Sequence, residues 1–210
     1  MTPSVALRLG RVSNLPTVWT NALVGVLLAG GFLTDPRLPM LLLALSLFYV
    51  GGMFLNDAFD REFDAKHRPE RPIPAGLVTA REVFTCGFGM LVVGTAIVAV
   101  ASRGPDGMPA WRAVASCAAL SGAIVFYNAH HKGNPLSPLL MGLCRVFVVL
   151  TAAFSLAAAL PQAVFLAVIA LLCHLIGLTY IAKQEHLDRI GSLWPLGFLA
   201  IPVIYGVVLA

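Results

Sequence analysis

The 210-residue sequence is short of charged residues, which make up 11% of it, against roughly 25% in typical soluble globular domains. Hydrophobic residues make up 59%, and the mean hydropathy is +0.86. So small a charged fraction excludes an ordinary soluble domain of this length. The composition therefore predicts an integral membrane protein.

Two further patterns are missing. Met1 to Gly10 holds no apolar run before the first long hydrophobic segment, which argues against a cleavable signal peptide. No CxxC pair and no Cys/His ligand spacing occurs, so neither a disulfide framework nor a zinc site is expected from the cysteines. We interpret them as small apolar packing residues of the membrane segments; they are Cys86, Cys117, Cys144 and Cys173.

Long hydrophobic runs dominate what remains. We mark seven segments, most of them long enough to cross a hydrocarbon core as helices: 15–33, 38–56, 82–101, 111–129, 138–160, 162–182 and 193–210. The sequence thus predicts an all-α fold, a polytopic membrane helical bundle of about seven transmembrane helices. We expect residues 1–210 to form a single transmembrane domain.

The basic residues sort strongly between the two sides of such a bundle. Of the 14 Lys and Arg residues, only Arg37, Arg103 and Arg112 fall on one side. The positive-inside rule places the N-terminus and the polar loops on the other side, in the cytoplasm. Membrane orientation alone explains the net charge of +4, so no nucleic-acid partner is expected. We expect the protein in a bacterial inner (plasma) membrane, among membrane lipids.

The most polar stretch, residues 56–76, reads NDAFDREFDAKHRPERPIPAG. On a helix that advances about 100° per residue, four of its side chains share an arc of roughly 100°: Asn56, Asp57, Asp60 and Asp64. Glu62 points elsewhere, as a solvated or ion-paired acid. Carboxylates on one face repel one another unless cations lie between them. Mg²⁺, which accepts carboxylate oxygens and leaves positions open for phosphate oxygens, is the expected counter-charge.

The run after Asp64 is predicted to be an ordered cytoplasmic loop, because Pro69, Pro72 and Pro74 remove backbone donors and restrict their neighbours. Its Arg68 and Arg71 can turn back over the acidic face. Thr79 and Glu82 have the spacing of a helix capping box. Gly51 and Gly52, just before the acidic face, favour close helix approach or a slight kink.

Two further polar islands lie on the same predicted side. Lys132, on the turn HHKGNP, either meets a phosphate or anchors the loop at the membrane surface. Arg145 lies about seven residues into its hydrophobic segment, so it either snorkels or faces a polar cavity. In KQEHLDR, Glu185 and Asp188 share a helical face, either as substrate contacts or as members of an internal ion-pair set.

Near the N-terminus, Asn14 either faces a cavity or caps the first helix. An acidic, a basic and a mixed island above an apolar bundle suit a substrate with an anionic head and a lipophilic tail. Diphosphate esters of isoprenoid alcohols have this form.

The sequence also resembles a known family. NDAFDREFDAKHRPERPIPAG is similar to the NDxxDxxxD signature and following Arg-Pro-rich turn of the UbiA superfamily of intramembrane prenyltransferases. HRPERPIPAG and NPLSPLLMGLCR resemble a divergent branch. The resemblance implies a helical bundle whose central cavity opens to the cytoplasm. It also implies Mg²⁺-dependent transfer of a prenyl group from its diphosphate to an aromatic or other lipophilic acceptor.

Carried over by position, the resemblance makes Asn56, Asp57, Asp60 and Asp64 the ligands of Mg²⁺. Lys132 corresponds to the family's phosphate-contacting basic residue, and Asn14 and Tyr127 lie in matching helices. Glu185 and Asp188 stand where a second Asp-rich motif belongs, with Asp188 as a further metal ligand. KQEHLDR is poorer in aspartate than that motif, and the family usually has nine helices rather than seven.

That departure keeps two alternatives open. The chain can bind or translocate an isoprenoid or another amphiphile without chemistry, with the first motif as a head-group clamp. Alternatively, a diphosphate hydrolase or alcohol-phosphate transferase on the same bundle would yield no prenylated product.

Overall fold

Every regular element of the computed structural model is a helix within residues 1–184 and 193–209, the part of the chain that the structure describes. A 3₁₀ turn, Val12–Asn14, joins the first two helices of the chain. The helices are α1 Pro3–Gly10, α2 Leu15–Leu28, α3 Leu38–Phe59, α4 Arg61–His67, α5 Ala80–Ala101, α6 Trp111–His130, α7 Ser137–Phe154, α8 Gln162–Gln184 and α9 Trp194–Leu209. The all-α prediction is confirmed.

Five described helices, α3, α5, α6, α7 and α8, are long and apolar enough to cross a membrane, whereas α2 and α9 are shorter apolar helices. Seven crossings therefore stay a prediction.

The predicted segments 15–33 and 138–160 were too long. Helix α2 ends before Gly30, whose left-handed φ of +86° is unsuited to helix. Helix α7 ends at Phe154. Just beyond it, the carbonyl of Ser155 accepts a hydrogen bond from the Arg37 guanidinium at 3.3 Å.

Helix α3 lies at the centre of the bundle. It packs most extensively on α5 and also contacts α1, α2 and α6, while α7 packs on α2, α6 and α8. The side chains of Leu41, Leu45, Phe48 and Leu55 on α3 are almost completely buried in this apolar core. Because α3 is held on several sides, the polar residues at its C-terminal end have fixed positions.

Helices α3 and α5 approach closely at glycines, as Gly51 predicted. A Cβ atom on Gly51 would lie 2.9 Å from the carbonyl oxygen of Gly87. A Cβ atom on Gly87 would lie 2.8 Å from Cγ of Leu55, a fully buried side chain. Small residues at such crossings let two backbones come into contact.

We expect Gly87→Ala to unfold at a lower temperature than Gly89→Ala. Both changes gain the same helix propensity, but a Cβ on Gly89 meets nothing within 4 Å. Overpacking a buried contact costs about 1–3 kcal/mol. Thermal unfolding of the two variants in detergent checks this. Equal midpoints would show that Leu55 moves aside without cost.

The connection between α4 and α5 is tied down at both ends. Thr79 and Glu82 form the predicted capping box: the Glu82 amide donates to Thr79 Oγ1 at 3.2 Å, and Glu82 Oε2 accepts from the Thr79 amide at 2.9 Å. Towards the other end, Arg8 donates to the carbonyl of Glu70 at 3.1 Å, and Ile73 packs into a small cluster of α1 and α3 residues. These ties hold the intervening loop over the end of α3.

Candidate active site

The acidic face lies where α3 meets α4. Asp60 is the junction residue, and its backbone stays near helical, with its amide bonded to the Asn56 carbonyl at 2.9 Å. The Asp64 amide bonds the Asp60 carbonyl at 2.8 Å, so the helical spacing continues through the junction. As predicted, Asn56, Asp57, Asp60 and Asp64 share one face; all four are buried, with relative exposures between 1% and 9%. Glu62 points outward and pairs with Arg61.

Two arginines neutralise the first and last of these carboxylates. Arg71, from the loop after α4, bridges Asp57 Oδ1 at 2.9 Å and Asp64 Oδ2 at 3.1 Å. Arg11, from the turn before α2, donates to the same Asp57 oxygen at 2.9 Å and to Asn56 Oδ1 at 3.3 Å. Cations do lie between the carboxylates, in the form of guanidinium groups. The prediction that Arg71 turns back over the acidic face is confirmed.

Asp60 faces a second basic element, the connection between α6 and α7. Lys132 Nζ lies 2.8 Å from Asp60 Oδ1, and His131 Nε2 lies 3.5 Å from Asp60 Oδ2. The ammonium also lies 3.7 Å from the centre of the Phe63 ring, within cation–π range. Lys132 thus sits at the acidic face, which goes beyond the role of a surface anchor.

An amide pair orients the start of the acidic face. Asn56 Nδ2 donates to Asn128 Oδ1 at 3.1 Å, and Asn128 Nδ2 donates to the carbonyl of Gly52 at 3.1 Å. Both side chains are buried, so these bonds satisfy groups that have little access to water. The Asn56 oxygen is thereby turned towards Arg11, which donates to it at 3.3 Å.

A cavity of about 360 Å³ opens beside this polar cluster. Arg11 and Asn56 line its polar end. Its walls come from α2, α3, α6, α7 and α8 and include Val18, Phe48, Leu120, Ile124, Val148 and Leu175. Ion-paired groups and an apolar chamber therefore share one space, which suits a ligand with a charged head and a lipophilic tail.

Three other predicted residues also line this cavity: Asn14, Tyr127 and Arg145. The Asn14 side chain makes no capping bond at the start of α2. Arg145 is partly buried and faces the chamber, which decides between the two expectations for it. Tyr127 also borders a second pocket of about 450 Å³ beside His131, Asn134 and Thr179.

Some predicted residues are not brought to the acidic face. Arg68 is exposed and its side chain has no hydrogen bond or ion pair within the described residues, whereas its neighbour in the loop, Arg71, bridges two carboxylates. Glu185 and Asp188 lie outside the described residues, so their placement stays a prediction.

Sequence reasoning missed Arg11, Asn128 and His131 as members of the cluster. The sequence-based prediction used Arg11 only in the distribution of Lys and Arg between the two sides of the membrane, although Arg11 directly precedes the polar run VSNLPT. Asn128 carried a usable signal, because an amide near the end of an apolar helix needs a buried partner. His131 adjoins Lys132, but its approach to Asp60 depends on how α6 crosses α3.

The donor atoms suit Mg²⁺. Asp64 Oδ1 is buried without a hydrogen-bond partner among the described residues. Asp57 and Asp64, joined by Arg71, present hard carboxylate oxygens, and Mg²⁺ is commonly held by one or two carboxylates together with water or phosphate oxygens. The described residues contain no group of three or more His, Cys, Asp and Glu side chains arranged for a metal. The described carboxylates that could hold the ion are therefore the pair Asp57 and Asp64, which Arg71 links.

Comparison with known proteins identifies the family. The model of the UbiA prenyltransferase family matches residues 18–209, most of the chain. The chain belongs to the UbiA prenyltransferase family. The resemblance based on NDAFDREFD is thus confirmed, and the acidic face described above lies within the region that the family model matches.

Relatives within the family include two digeranylgeranylglyceryl phosphate synthases. That of Methanopyrus kandleri is 30% identical over 205 residues, which cover 95% of this chain and 69% of the relative. That of Methanothrix thermoacetophila is 31% identical over 136 residues, 62% of this chain and 46% of the relative. The chain thus spans about half to two thirds of the length of these relatives.

A solved structure, described as concerning digeranylgeranylglyceryl phosphate synthase in membranes, has a similar fold. The TM-score is 0.72 at 19% identity, and the match covers 88% of this chain and 63% of that one. At this identity the likeness concerns the fold alone. It confirms the helical-bundle fold.

Proposed function

We propose that this chain is a membrane prenyltransferase that transfers a prenyl group from an isoprenoid diphosphate to a lipophilic acceptor. The observation that carries the proposal is the junction of a buried, cation-bridged carboxylate face with an apolar cavity of about 360 Å³. Family membership supports the same reaction.

Asp57 and Asp64 are assigned to hold Mg²⁺, with Asn56 and Asp60 beside them. Asp188, which lies outside the described residues, is assigned as a further ligand. When bound, Mg²⁺ supplies positive charge next to the phosphate oxygens of the donor. Asp64 Oδ1, buried and without a described partner, supports this role most directly. The ion pairs of Asp57 and Asp64 with Arg71 hold these carboxylates at fixed positions.

Cations around the acidic face are assigned to the diphosphate. Lys132 and Arg71 each lie within 3.1 Å of a motif carboxylate, which supports both as contacts of an anion that binds beside the carboxylates. Arg68, exposed in the same loop, is available as an outer contact. Arg71 donates in a planar fork suited to phosphate, and Lys132 acts as a point charge.

In the reaction, the allylic C–O bond to the diphosphate breaks and a nucleophilic atom of the acceptor bonds to the prenyl carbon. The acceptor's proton leaves with the diphosphate. Lys132 and Arg71 stabilise the negative charge that develops on the departing oxygen. The apolar walls of the cavity, such as Val148 and Leu175, exclude water from the electron-poor carbon.

The names of the relatives favour one acceptor class. A digeranylgeranylglyceryl phosphate is a glyceryl phosphate with two prenyl groups, so we propose a lipophilic glyceryl phosphate as acceptor in preference to an aromatic ring. Glu185 and Asp188 are proposed substrate contacts. We also propose that the acidic face and the mouth of the cavity face the cytoplasm, as the Lys and Arg distribution favours.

The test is prenyl transfer by the purified protein in a neutral detergent. Isoprenoid diphosphates of several lengths are mixed with a prenylated glyceryl phosphate or an aromatic acid, with Mg²⁺ or with a chelator. We expect diphosphate release together with a prenylated acceptor by mass spectrometry, abolished by the chelator and restored by added Mg²⁺. Release without a prenylated product would indicate a hydrolase. Donor binding without release would indicate a carrier, and either result contradicts the proposal.

A further inference from the structure

Arg145 occupies an unusual position for a charged residue. It lies near the middle of α7, Ser137–Phe154, in a segment whose hydropathy suits a membrane span. At about 1.5 Å per residue, its Cα is about 12 Å along the helix from Ser137. A cation at this depth is costly unless it is neutralised or serves a ligand.

Neutralisation by the protein is not found among the described residues. Arg145 Nη1 is buried and has no hydrogen-bond partner there. The motif carboxylates are engaged by other cations, Asp57 by Arg11 and Arg71 and Asp60 by Lys132. The guanidinium therefore retains unused donors inside the bundle.

Those donors belong to a side chain that lines the cavity. Met141, Cys144, Arg145 and Val148, at helical spacings of three and four, all line it from α7. Tyr49 of α3, whose hydroxyl donates to the Arg11 carbonyl at 3.3 Å, lines the same chamber. An anionic group in this space would meet a cation that lacks a partner among the described residues.

We infer that Arg145 binds the anionic head group of the acceptor, so that the acceptor is an acid-bearing amphiphile such as a phosphate monoester. This inference rests on the proposed function, which assigns the donor's diphosphate to Arg71 and Lys132 at the other polar site. Both Arg145 and Asn56 line one cavity. An acceptor whose acid is held by Arg145 would therefore lie in the same cavity that the polar cluster borders.

Binding of two matched lipids tests the inference without turnover. Lysophosphatidate and monoacylglycerol with the same acyl chain differ only in the phosphate. Their affinities are measured by thermophoresis in a neutral detergent, without Mg²⁺ or prenyl diphosphate. We expect the wild-type protein to bind lysophosphatidate at least about tenfold more tightly, as a charge-assisted contact implies. Arg145→Met should remove the difference, and Arg145→Lys should retain part of it.

The matched control is Arg103→Met, which removes an exposed positive charge from the connection between α5 and α6 and should leave the lipid preference unchanged. Arg145→Met should unfold at the same or a higher temperature than the wild type, because it removes a buried charge that has no partner among the described residues. An unchanged lipid preference in Arg145→Met would overturn the inference.

A second binding measurement tests whether Arg145 binds the anionic group of the acceptor or that of the donor. Binding of a prenyl thiolodiphosphate, an unreactive donor analogue, should be unaffected by Arg145→Met. If that variant weakens the analogue and spares lysophosphatidate, Arg145 serves the donor and the inference is wrong. Phosphate-dependent binding through Arg145 without any prenyl transfer would refute the proposed reaction while supporting the anion site.

Discussion

Asp64→Asn is expected to lower prenyl transfer about a hundredfold or more, whereas Glu62→Gln should leave it within about twofold. Asp64 is 1% exposed, its Oδ2 is paired with Arg71, and its Oδ1 has no described hydrogen-bond partner. The substitution keeps the shape of the side chain but removes the charge that is proposed to bind Mg²⁺. Glu62, two residues away, has an 85% exposed side chain and pairs only with Arg61 among the described residues.

A readout other than activity separates the metal site from a packing defect. Mg²⁺ that binds only the folded protein raises its unfolding temperature. This stabilisation should be present in the wild type and in Glu62→Gln and absent in Asp64→Asn. Without Mg²⁺ the two variants should unfold within a few degrees of each other, since the amide oxygen introduced by Asp64→Asn can still accept from Arg71. Full Mg²⁺ stabilisation and full activity in Asp64→Asn would show that Asp64 is not a ligand.

The second large effect is expected at Lys132. Lys132→Met should reduce kcat/KM for the isoprenoid diphosphate about a hundredfold, because the positive charge beside Asp60 is lost where the diphosphate is proposed to bind. Lys132→Arg should retain part of the activity. The control is Lys66→Met, which removes an exposed ammonium from α4. Steady-state kinetics with varied donor at saturating acceptor measure the effect.

Loss of Lys132 also leaves Asp60 paired only with His131 among the described residues, so a structural effect must be distinguished. Inorganic diphosphate competes for the proposed phosphate site, and its inhibition constant should rise in parallel with the loss of kcat/KM. If inhibition by diphosphate is unchanged while activity falls, Lys132 acts by holding Asp60 in place. That result would contradict the assignment of Lys132 to the donor's phosphates.

Both predictions concern the acidic face, which the spacing of residues along the chain was enough to predict. Asn56, Asp57, Asp60 and Asp64 follow one another at intervals of one, three and four, and a helix places such residues together whatever surrounds it. The helix break at Asp60 did not disturb the face, because its backbone stays near helical. The capping box at Thr79 was predictable for the same reason, since both of its bonds lie within one turn.

The partners of those carboxylates were not predictable in the same way. Arg68 and Arg71 are equivalent by sequence, yet only Arg71 bridges Asp57 and Asp64, because the loop is fixed by contacts with α1 and by the capping box. Arg11 reaches Asp57 across 46 residues of sequence, and Asn128 reaches Asn56 across 72. Residues so far apart in the sequence come into contact only because whole helices cross one another.

By itself, then, the sequence determined the membrane bundle, the acidic face and the chemistry of its donors, since hydrophobicity, helical period and charge are properties of neighbouring residues. Only the tertiary structure decided which cations neutralise which carboxylates and that Arg145 lines a cavity rather than snorkelling to the surface. The physical reason is that these outcomes depend on how α2, α3, α6 and α7 pack. The fit between helices, including the close glycine contact of α3 and α5, sets that packing.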